Sequence, residues 1–559
     1  MKNFEKYTRN FIAPEHPDMS WMEKLYLDKA PVWCSVDLRD GNQALVVPMN
    51  VTEKLIFFES LLKIGFKEIE VGFPAASETE YEFIRRLIDE NRIPDDVWIQ
   101  VLTPAKQELI QRTFACVRGA KNVIMHLYNA TSAAHREQVF HKTKEEVREL
   151  AENGARWIKE EAAYFDGNLR FEYSPEAFTG TEPEFALEIC SAVLNIWQPT
   201  PEKKAIINLP ATVSLSMPHV YGAQIANMDR NLPYRESTVL SLHPHNDRGC
   251  GVADAEMGLL AGGERVEGTL FGNGERTGNV DLITLALNLY SQGVDPGLDL
   301  SDLPSLVRMS EENTGMPVPD RQPYSGELVF TAFSGTHQDA IAKGMEWYKE
   351  GKSVHWNVPY LPVDPEDLGR KLEDSVIRIN SQSGKGGIGY LLSQNYGYHL
   401  PPKMMPDVGK TVKSASDRRG KELMPEEVFD IFRKEYINFF DPLDITEADF
   451  TNLPEKRISA RIVAMKNGER RELTAAGNGH LNAVANALKE NLGYRFHLTS
   501  YSEHALEDEK GTSSLAAAYV GISDGGRETI WGVGIHADIM AASVNALVSA
   551  INRMERGTK

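Results

Sequence analysis

At 559 residues, with about 150 residues per domain, the chain is long enough for three to four structural units. Hydrophobic residues at 42% and charged residues at 25% are ordinary globular values, which argues against a disordered or fibrous chain. Sixty Lys and Arg against eighty Asp and Glu leave a net charge of −20, and no basic cluster offsets it, so neither a nucleic-acid nor a membrane partner is expected.

Residues 1–30, with Pro14, Pro17 and mixed charge, read as an N-terminal arm. From Pro31 short apolar or β-branched runs recur at 32–38 (VWCSVDL), 68–73, 97–102, 122–128, 169–173, 205–209, 238–243 and 266–271. Helix-like segments lie between most of them, such as 52–64, 77–90 and 143–163. Eight strand-plus-helix units over roughly 240 residues match an α/β fold of the (β/α)8 TIM-barrel type. An open doubly wound sheet is disfavoured, because no G-x-G-x-x-G opens a helix after the first strand. The barrel domain is placed at 31–305. Residues 306–436 follow as linker subdomains, with helical patches at 338–350 and 366–374, a polar exposed stretch at 401–421 and a helix at 425–438.

The last unit, 437–559, contains an internal repeat. Residues 457–488 run strand, Asn-Gly turn, strand, G-x-G and helix, ending Asn-Ala-Leu; residues 514–547 repeat the pattern around Asp-Gly-Gly. Both turns supply residues tolerant of positive φ, so each copy is expected to be a β-hairpin plus helix in a small α+β module.

In a barrel of this kind chemistry is carried at the C-terminal strand ends. There the sequence places Asp37-Leu38-Arg39-Asp40-Gly41, His126, Ser174-Pro175-Glu176, Pro210 with Thr212, His243-Pro244-His245, and Gly272–Asn279. His243 and His245 are two apart on one strand, so both imidazoles face the same side and suit one divalent metal. A pair of satisfied histidines is the competing reading. Asp40 can add a carboxylate oxygen and Asn279 an amide oxygen, a mixed set that leaves positions open for a bidentate substrate.

DLRDGNQ (37–43), SLHPHNDRG (241–249) and FGNGERTGN (271–279) resemble the acyl-CoA-dependent aldol/Claisen barrel family. FEYSPEAFTGTE, FSGTHQDAI, VPYLPVDPEDLGR and NSQSGKGG extend the likeness toward its 2-isopropylmalate synthase branch, and the C-terminal repeat resembles that branch's leucine-sensing domain. The resemblance implies condensation of acetyl-CoA with 3-methyl-2-oxobutanoate to 2-isopropylmalate, in leucine biosynthesis. It implies a divalent metal held by Asp40, His243, His245 and Asn279, with Mg2+ the first choice and Mn2+ or Zn2+ the alternatives. Arg39 would stabilise the developing alkoxide; an ion pair with Asp37 is the structural alternative for that residue. Thr212 would hold the substrate carboxylate, and Leu102, His126, Tyr128 and Ser174 would line the side-chain pocket. Glu176 with His337, near Tyr360, would form the acid–base set, and His337 and Tyr360 would come from the partner in a homodimer. Leucine would act as an effector at the G-x-G segments, Gly477 with Gly479 and Gly532 with Gly534, where free N–H groups at a helix start favour a carboxylate. Close strand-to-helix turning is the plainer explanation of those glycines.

Citramalate and homocitrate synthases are the alternatives on the same barrel. A biotin-linked carboxyltransferase would need a strand-end lysine and a biotinyl segment; VAMKN (463–467) lacks the flanking residues of one and reads as a hairpin turn. A leucine sensor with a degenerate barrel is opposed by the intact ligand set. NSQSGKGG (380–387) is not a Walker motif, since Ile379 stands where its first glycine belongs, and Lys385 is left beside an interdomain turn or a CoA entrance. No uncharged apolar run approaches the ~18 residues of a membrane helix, and charge is scattered through MKNFEKYTRNF where a signal peptide would be apolar. Cys34, Cys116, Cys190 and Cys250 form no CxxC pair, so free thiols and a cytoplasmic location are expected.

Overall fold

The first strand runs Val32–Ser35 (β1), and seven more follow at Glu68–Gly72 (β2), Trp98–Pro104 (β3), Asn122–Ala130 (β4), Asn168–Glu176 (β5), Ala205–Ala211 (β6), Thr238–Pro244 (β7) and Arg265–Gly268 (β8). In this computed structural model, which describes residues 3–557 apart from 333, 371–384, 420–422, 507–514 and 527, the eight pair in parallel and in order. The barrel closes where Val32 meets Arg265 and Ser35 meets Gly268. Its surrounding helices are Val51–Ile64 (α1), Glu78–Asp89 (α2), Gln107–Val117 (α3), Lys144–Ala162 (α4), Pro183–Trp197 (α5), Pro218–Asn231 (α6), Gly251–Leu260 (α7) and Leu282–Tyr290 (α8).

Local chemistry sets these boundaries. Asn50 and Glu53 form a capping box at the start of α1, and Gly65 ends it in the left-handed region at φ 110°. Thr143 and Glu146 do the same for the start of α4. Helices bury Phe57, Phe58, Leu61, Ile84 and Leu87 against the outward faces of strands, where Ile69 and Val71 are also fully buried. Each such side chain contributes about 1.5–3 kcal/mol. In the N-terminal arm, the Trp21 ring packs so tightly on Gly222 of α6 that a Cβ there would overlap it; Leu25 remains exposed.

The chain forms two compact units, Met1–Val329 with Glu366–Arg370, and Phe330–Pro365 with Lys371–Lys559. The first also contains Leu303–Thr314 (α9). Within the second lie Gly335–Lys349 (α10), Lys385–Tyr396 (α11), Met405–Arg419 (α12) and Pro425–Tyr436 (α13). The expected polar stretch at 401–421 is therefore mostly a helix. Met404, Val408, Val412 and Ala415 are buried at helical spacing, a stripe hidden among lysines and serines in the sequence. Of the expected helix at 366–374, Pro365–Leu368 is a short 3-10 turn and 371–374 lie outside the described residues, as do residues 380–384 of NSQSGKGG.

The repeat is present and larger than its sequence pattern. Leu443–Leu453 (β9), Arg457–Lys466 (β10) and Glu469–Gly477 (β11) form one antiparallel sheet, followed by His480–Leu492 (α14). His497–Leu506 (β12), Leu515–Ser523 (β13) and Ile530–His536 (β14) form the other, followed by Ile539–Gly557 (α15). Each copy thus has an additional leading strand, β9 or β12, whose polar residues give no apolar run to read. Asn467 and Gly468 both adopt positive φ in the first hairpin, as the Asn-Gly pair requires. No described helix is long and apolar enough to cross a membrane.

Candidate active site

β1 ends in a π-helical turn over Asp37–Gly41, in which the N–H groups of Arg39, Asp40 and Gly41 all point at the Val36 carbonyl. Such turns concentrate at functional sites because the extra residue re-aims side chains. Asp37 anchors the turn: its carboxylate accepts from the Leu270 N–H at 3.0 Å and from the Ser35 hydroxyl at 2.8 Å. Burial pushes this carboxyl up to about 7, against those two bonds. The structural alternative for Arg39 is thus corrected: it pairs with Asp40 (Nη1 to Oδ1, 2.5 Å) and Glu70 (Nε to Oε2, 2.5 Å), while Asp37 is committed elsewhere.

Asp40, His243 and His245 converge as expected. Asp40 Oδ2 is 3.2 Å from His243 Nε2 and 3.6 Å from His245 Nε2, and the two imidazoles stack with centroids 5.3 Å apart. Burial opposes ionisation of Asp40, but Arg39 outweighs it and holds the carboxyl well below the usual carboxylate range. Burial likewise disfavours charge on His243, yet its bonds to Asp40 and Glu267 push it up to about 9. His245 is driven down to about 4 by burial and by the His243 charge.

Asn279 completes the group, donating from Nδ2 to Asp40 Oδ2 at 2.7 Å. Its buried Oδ1 has no partner, and Gly274 leaves the space that this oxygen fills. Turning the amide about its last torsion exchanges the two ends and offers that oxygen to the Asp40–histidine group. A carboxylate, two imidazole nitrogens and an uncommitted amide oxygen fit a divalent cation.

Asp40, His243 and His245 share a cleft of about 190 Å³ with Leu102, His126, Tyr128, Ser174, Glu176 and Thr212, so every expected substrate residue faces the same space, while Asn279 lines the neighbouring cleft. His126 is held at both nitrogens, by Glu70 at 2.9 Å and Ser174 at 2.7 Å. Thr212 Oγ1 accepts from the Ala177 N–H, which leaves its own proton to give. Burial raises the Glu176 carboxyl, opposed by the charges of His135 and Arg39. A second cleft of about 530 Å³ adjoins the first through Arg276; the Gly272–Gly274 segment and Met316–Val318 help to line it.

Two expected residues lie in the other compact unit. His337 and Tyr360 stack there with centroids 4.0 Å apart, and Tyr360 holds a positive φ of 66°, a costly conformation for a tyrosine. The four glycines of the repeat divide. A Cβ on Gly532 or Gly534 would overlap the backbone of α15, and one on Gly477 the backbone of α14, so close strand-to-helix packing accounts for these three. Gly479 alone has open space around it, at the N-cap of α14.

Sequence reasoning missed the floor of the cleft: Glu70, Gln100, Glu172, Asn208, Arg265 and Glu267, all nearly or fully buried inside the barrel. It also missed His135. A signal existed, since Glu68 with Glu70 and Arg265 with Glu267 are charged pairs two apart on strands whose alternate residues are apolar. His126, Glu172 and Glu267 are close enough to resemble a second cation group, but Arg265 donates to Glu267 at 2.8 Å and already supplies the positive charge.

Residues 30–309 match the HMGL-like family, 327–393 the alpha-isopropylmalate synthase post-catalytic domain-like family, and 422–555 the LeuA allosteric (dimerisation) domain. The chain is 57% identical to a 2-isopropylmalate synthase of Desulfitobacterium hafniense over 99% of both chains. It is 54% identical to one of Helicobacter hepaticus, over 99% of this chain and 100% of that one. By full-length likeness and by the three matching domains in order, the chain belongs to the 2-isopropylmalate synthase family.

Proposed function

We propose that the chain condenses acetyl-CoA with 3-methyl-2-oxobutanoate and hydrolyses the thioester, releasing 2-isopropylmalate and CoA. The observation that carries this reading is the meeting of Asp40, His243 and His245, with Asn279 hydrogen-bonded to Asp40, a guanidinium and a raised carboxyl at one 190 Å³ cleft. Asp40, His243, His245 and Asn279 would hold a divalent cation, with Mg2+ the first choice. When bound, it supplies Lewis acidity to the 2-oxo group and a template for its orientation.

The chain's own residues do the rest. Thr212 donates its hydroxyl to the substrate carboxylate. Leu102, Pro210 and Tyr128 offer the apolar wall an isopropyl group needs. Arg276 is committed to Asp247 at 2.7 Å, so it gives no free guanidinium for the second carboxylate of a substrate such as 2-oxoglutarate. Glu176 takes a proton from the acetyl methyl group; its raised carboxyl brings it nearer to neutral pH, as a general base requires. Arg39, fixed by Asp40 and Glu70, donates to the 2-oxo oxygen as negative charge develops. His337 and Tyr360 are proposed as the remaining members of the acid–base set, contributed by a second copy of the chain. The larger cleft suits the long arm of an acyl thioester.

The proposed division is an arm at 1–30, catalysis in 31–305, linker subdomains at 306–436 and leucine sensing in 437–559. CoA release measured with 3-methyl-2-oxobutanoate, pyruvate and 2-oxoglutarate tests the substrate. The branched acid should give the highest kcat/KM; an equal or higher value with either competitor overturns the assignment.

A further inference from the structure

The side chains under the cleft close a ring of hydrogen bonds. Arg39 donates to Asp40 and Glu70, and Glu70 Oε1 accepts from His126 Nδ1 at 2.9 Å. His126 then carries its proton on Nδ1, so Nε2 accepts from the Ser174 hydroxyl at 2.7 Å. Asn208 Nδ2 spends its two protons on Ser174 Oγ and Glu267 Oε2, each at 3.0 Å. His243 Nδ1 donates to the same Glu267 oxygen at 2.7 Å, and His243 Nε2 returns to Asp40 at 3.2 Å.

Following the donors round this ring gives one consistent assignment of protons. Glu267 Oε1 accepts from Gln100 Nε2 at 2.7 Å and Arg265 Nη1 at 2.8 Å, so with Asn208 and His243 it has four donors, the full capacity of a carboxylate. It is therefore acceptor-only, so one His243 proton must sit on Nδ1. Nε2 faces Asp40 and Asn279; without a cation it donates a second proton to Asp40, and a bound cation would take that proton's place. His245 has no such carboxylate: its Nδ1 faces Arg276 Nη2 at 3.0 Å.

We propose that Glu267 is a positioning residue, which fixes the tautomer and ring orientation of His243 and so presents its Nε2 to the cation group. Arg265 and Gln100 hold Glu267 in turn, and Arg265 is pinned by Glu68 at 2.6 Å and by Ser241 at 2.8 Å. The proposal rests on the reading of Asp40, His243, His245 and Asn279 as cation ligands. Partners of this kind are typically worth 10- to 100-fold in metal affinity.

The test is Mn2+ binding by electron paramagnetic resonance on the full-length protein, beside thermal melting. Wild type binding no Mn2+ would remove the ligand assignment itself. Glu267→Asp keeps the charge that Arg265 needs but shortens the reach to His243, so it should fold and bind Mn2+ about 10- to 100-fold more weakly. Glu68→Gln loosens Arg265 without touching His243; it should lower the melting temperature and leave Mn2+ affinity within about threefold of wild type. Wild-type affinity in Glu267→Asp overturns the proposal. So does equal weakening in Glu68→Gln, which would make the effect one of core packing. Should Glu267→Asp fail to fold, Glu267→Gln at the same position is read by the same criteria.

Discussion

The barrel and the C-terminal repeat bury different things. Inside the barrel, beneath the cleft, lie Glu70, Glu172, Arg265 and Glu267, each hydrogen-bonded except Glu172, which merely approaches Arg265 at 3.6 Å. Burial and the Glu267 charge push the Glu172 carboxyl well above the usual range. The repeat buries alanines instead: Ala460, Ala464, Ala483, Ala487, Ala518, Ala542, Ala546 and Ala550 sit in one core with glycines pressed against helix backbone. Buried charge contributes little net stability, but it fixes tautomers and directions. Small apolar residues instead allow close backbone approach and dense packing. The two interiors should therefore fail in different ways.

The largest effect is expected at the barrel mouth. His243→Ala removes one of the proposed cation ligands and should abolish CoA release and Mn2+ binding while the circular dichroism spectrum stays native. Activity surviving exhaustive chelation of wild type would break the assignment. Glu176→Gln should lower kcat by about 10² or more while 3-methyl-2-oxobutanoate still binds by calorimetry, because Thr212 and the cation group are untouched. Loss of that binding would recast Glu176 as a substrate ligand.

In the repeat the expected loss is stability. Gly534→Val places a Cβ against the Ala542 carbonyl and the Ala546 N–H, backbone atoms that cannot step aside. Overpacking of this kind costs about 1–3 kcal/mol. The urea midpoint should fall while Mn2+ affinity of the barrel is unchanged. A matching loss of Mn2+ affinity would show that the two interiors are not independent.

This contrast also separates what the sequence disclosed from what it hid. Asp40, His243, His245 and Asn279 were legible because strand ends carry the chemistry of a barrel and HxH spacing puts two imidazoles on one side. Glu70 and Glu267 were not, because a carboxylate inside a strand reads as a solvent-facing residue until strand closure turns that face inward. The helix Met405–Arg419 was hidden for the converse reason, its apolar stripe being thin and surrounded by polar residues. The glycines were seen, but only the positions of α14 and α15 distinguish Gly479 from the other three.

A smaller effect tests whether other buried carboxyls of the barrel shape its pH response. Asp254 on α7 is buried, with the Ser214 hydroxyl donating to it at 3.1 Å; burial pushes its carboxyl up to about 7, against that bond. In the unfolded chain the same group ionises near 3.9. Between those values the folded form holds the proton and the unfolded form releases it, so this residue's contribution to stability falls as pH rises from about 4 to 7. Asp254→Asn, neutral throughout, should gain in melting temperature over wild type as pH climbs through that window, then level off. A difference between the two proteins that stays flat from pH 4 to 8 would remove the raised carboxyl.

The smallest structural effect, and the sharpest functional one, is expected at Gly479. Its φ of −171° is extended backbone open to any residue, and nothing lies within 4 Å of where a Cβ would go. Gly479→Asp therefore introduces neither strain nor overlap, and aspartate is itself a good N-cap, so stability should change by only a few tenths of a kcal/mol. What it does add is negative charge at the start of a 13-residue helix, where free N–H groups and the helix dipole favour an incoming carboxylate. If leucine binds there by its carboxylate, the substituted side chain occupies the same field and repels it. The rate without leucine should equal that of wild type, since the change lies in the repeat and not among the barrel residues that do the chemistry. Inhibition by excess leucine should disappear. Gly532→Asp offers the contrast, because it collides with α15 and should cost stability whether or not leucine is present. Full inhibition of Gly479→Asp, or no effect of leucine on wild type, would leave all four glycines with a packing role alone.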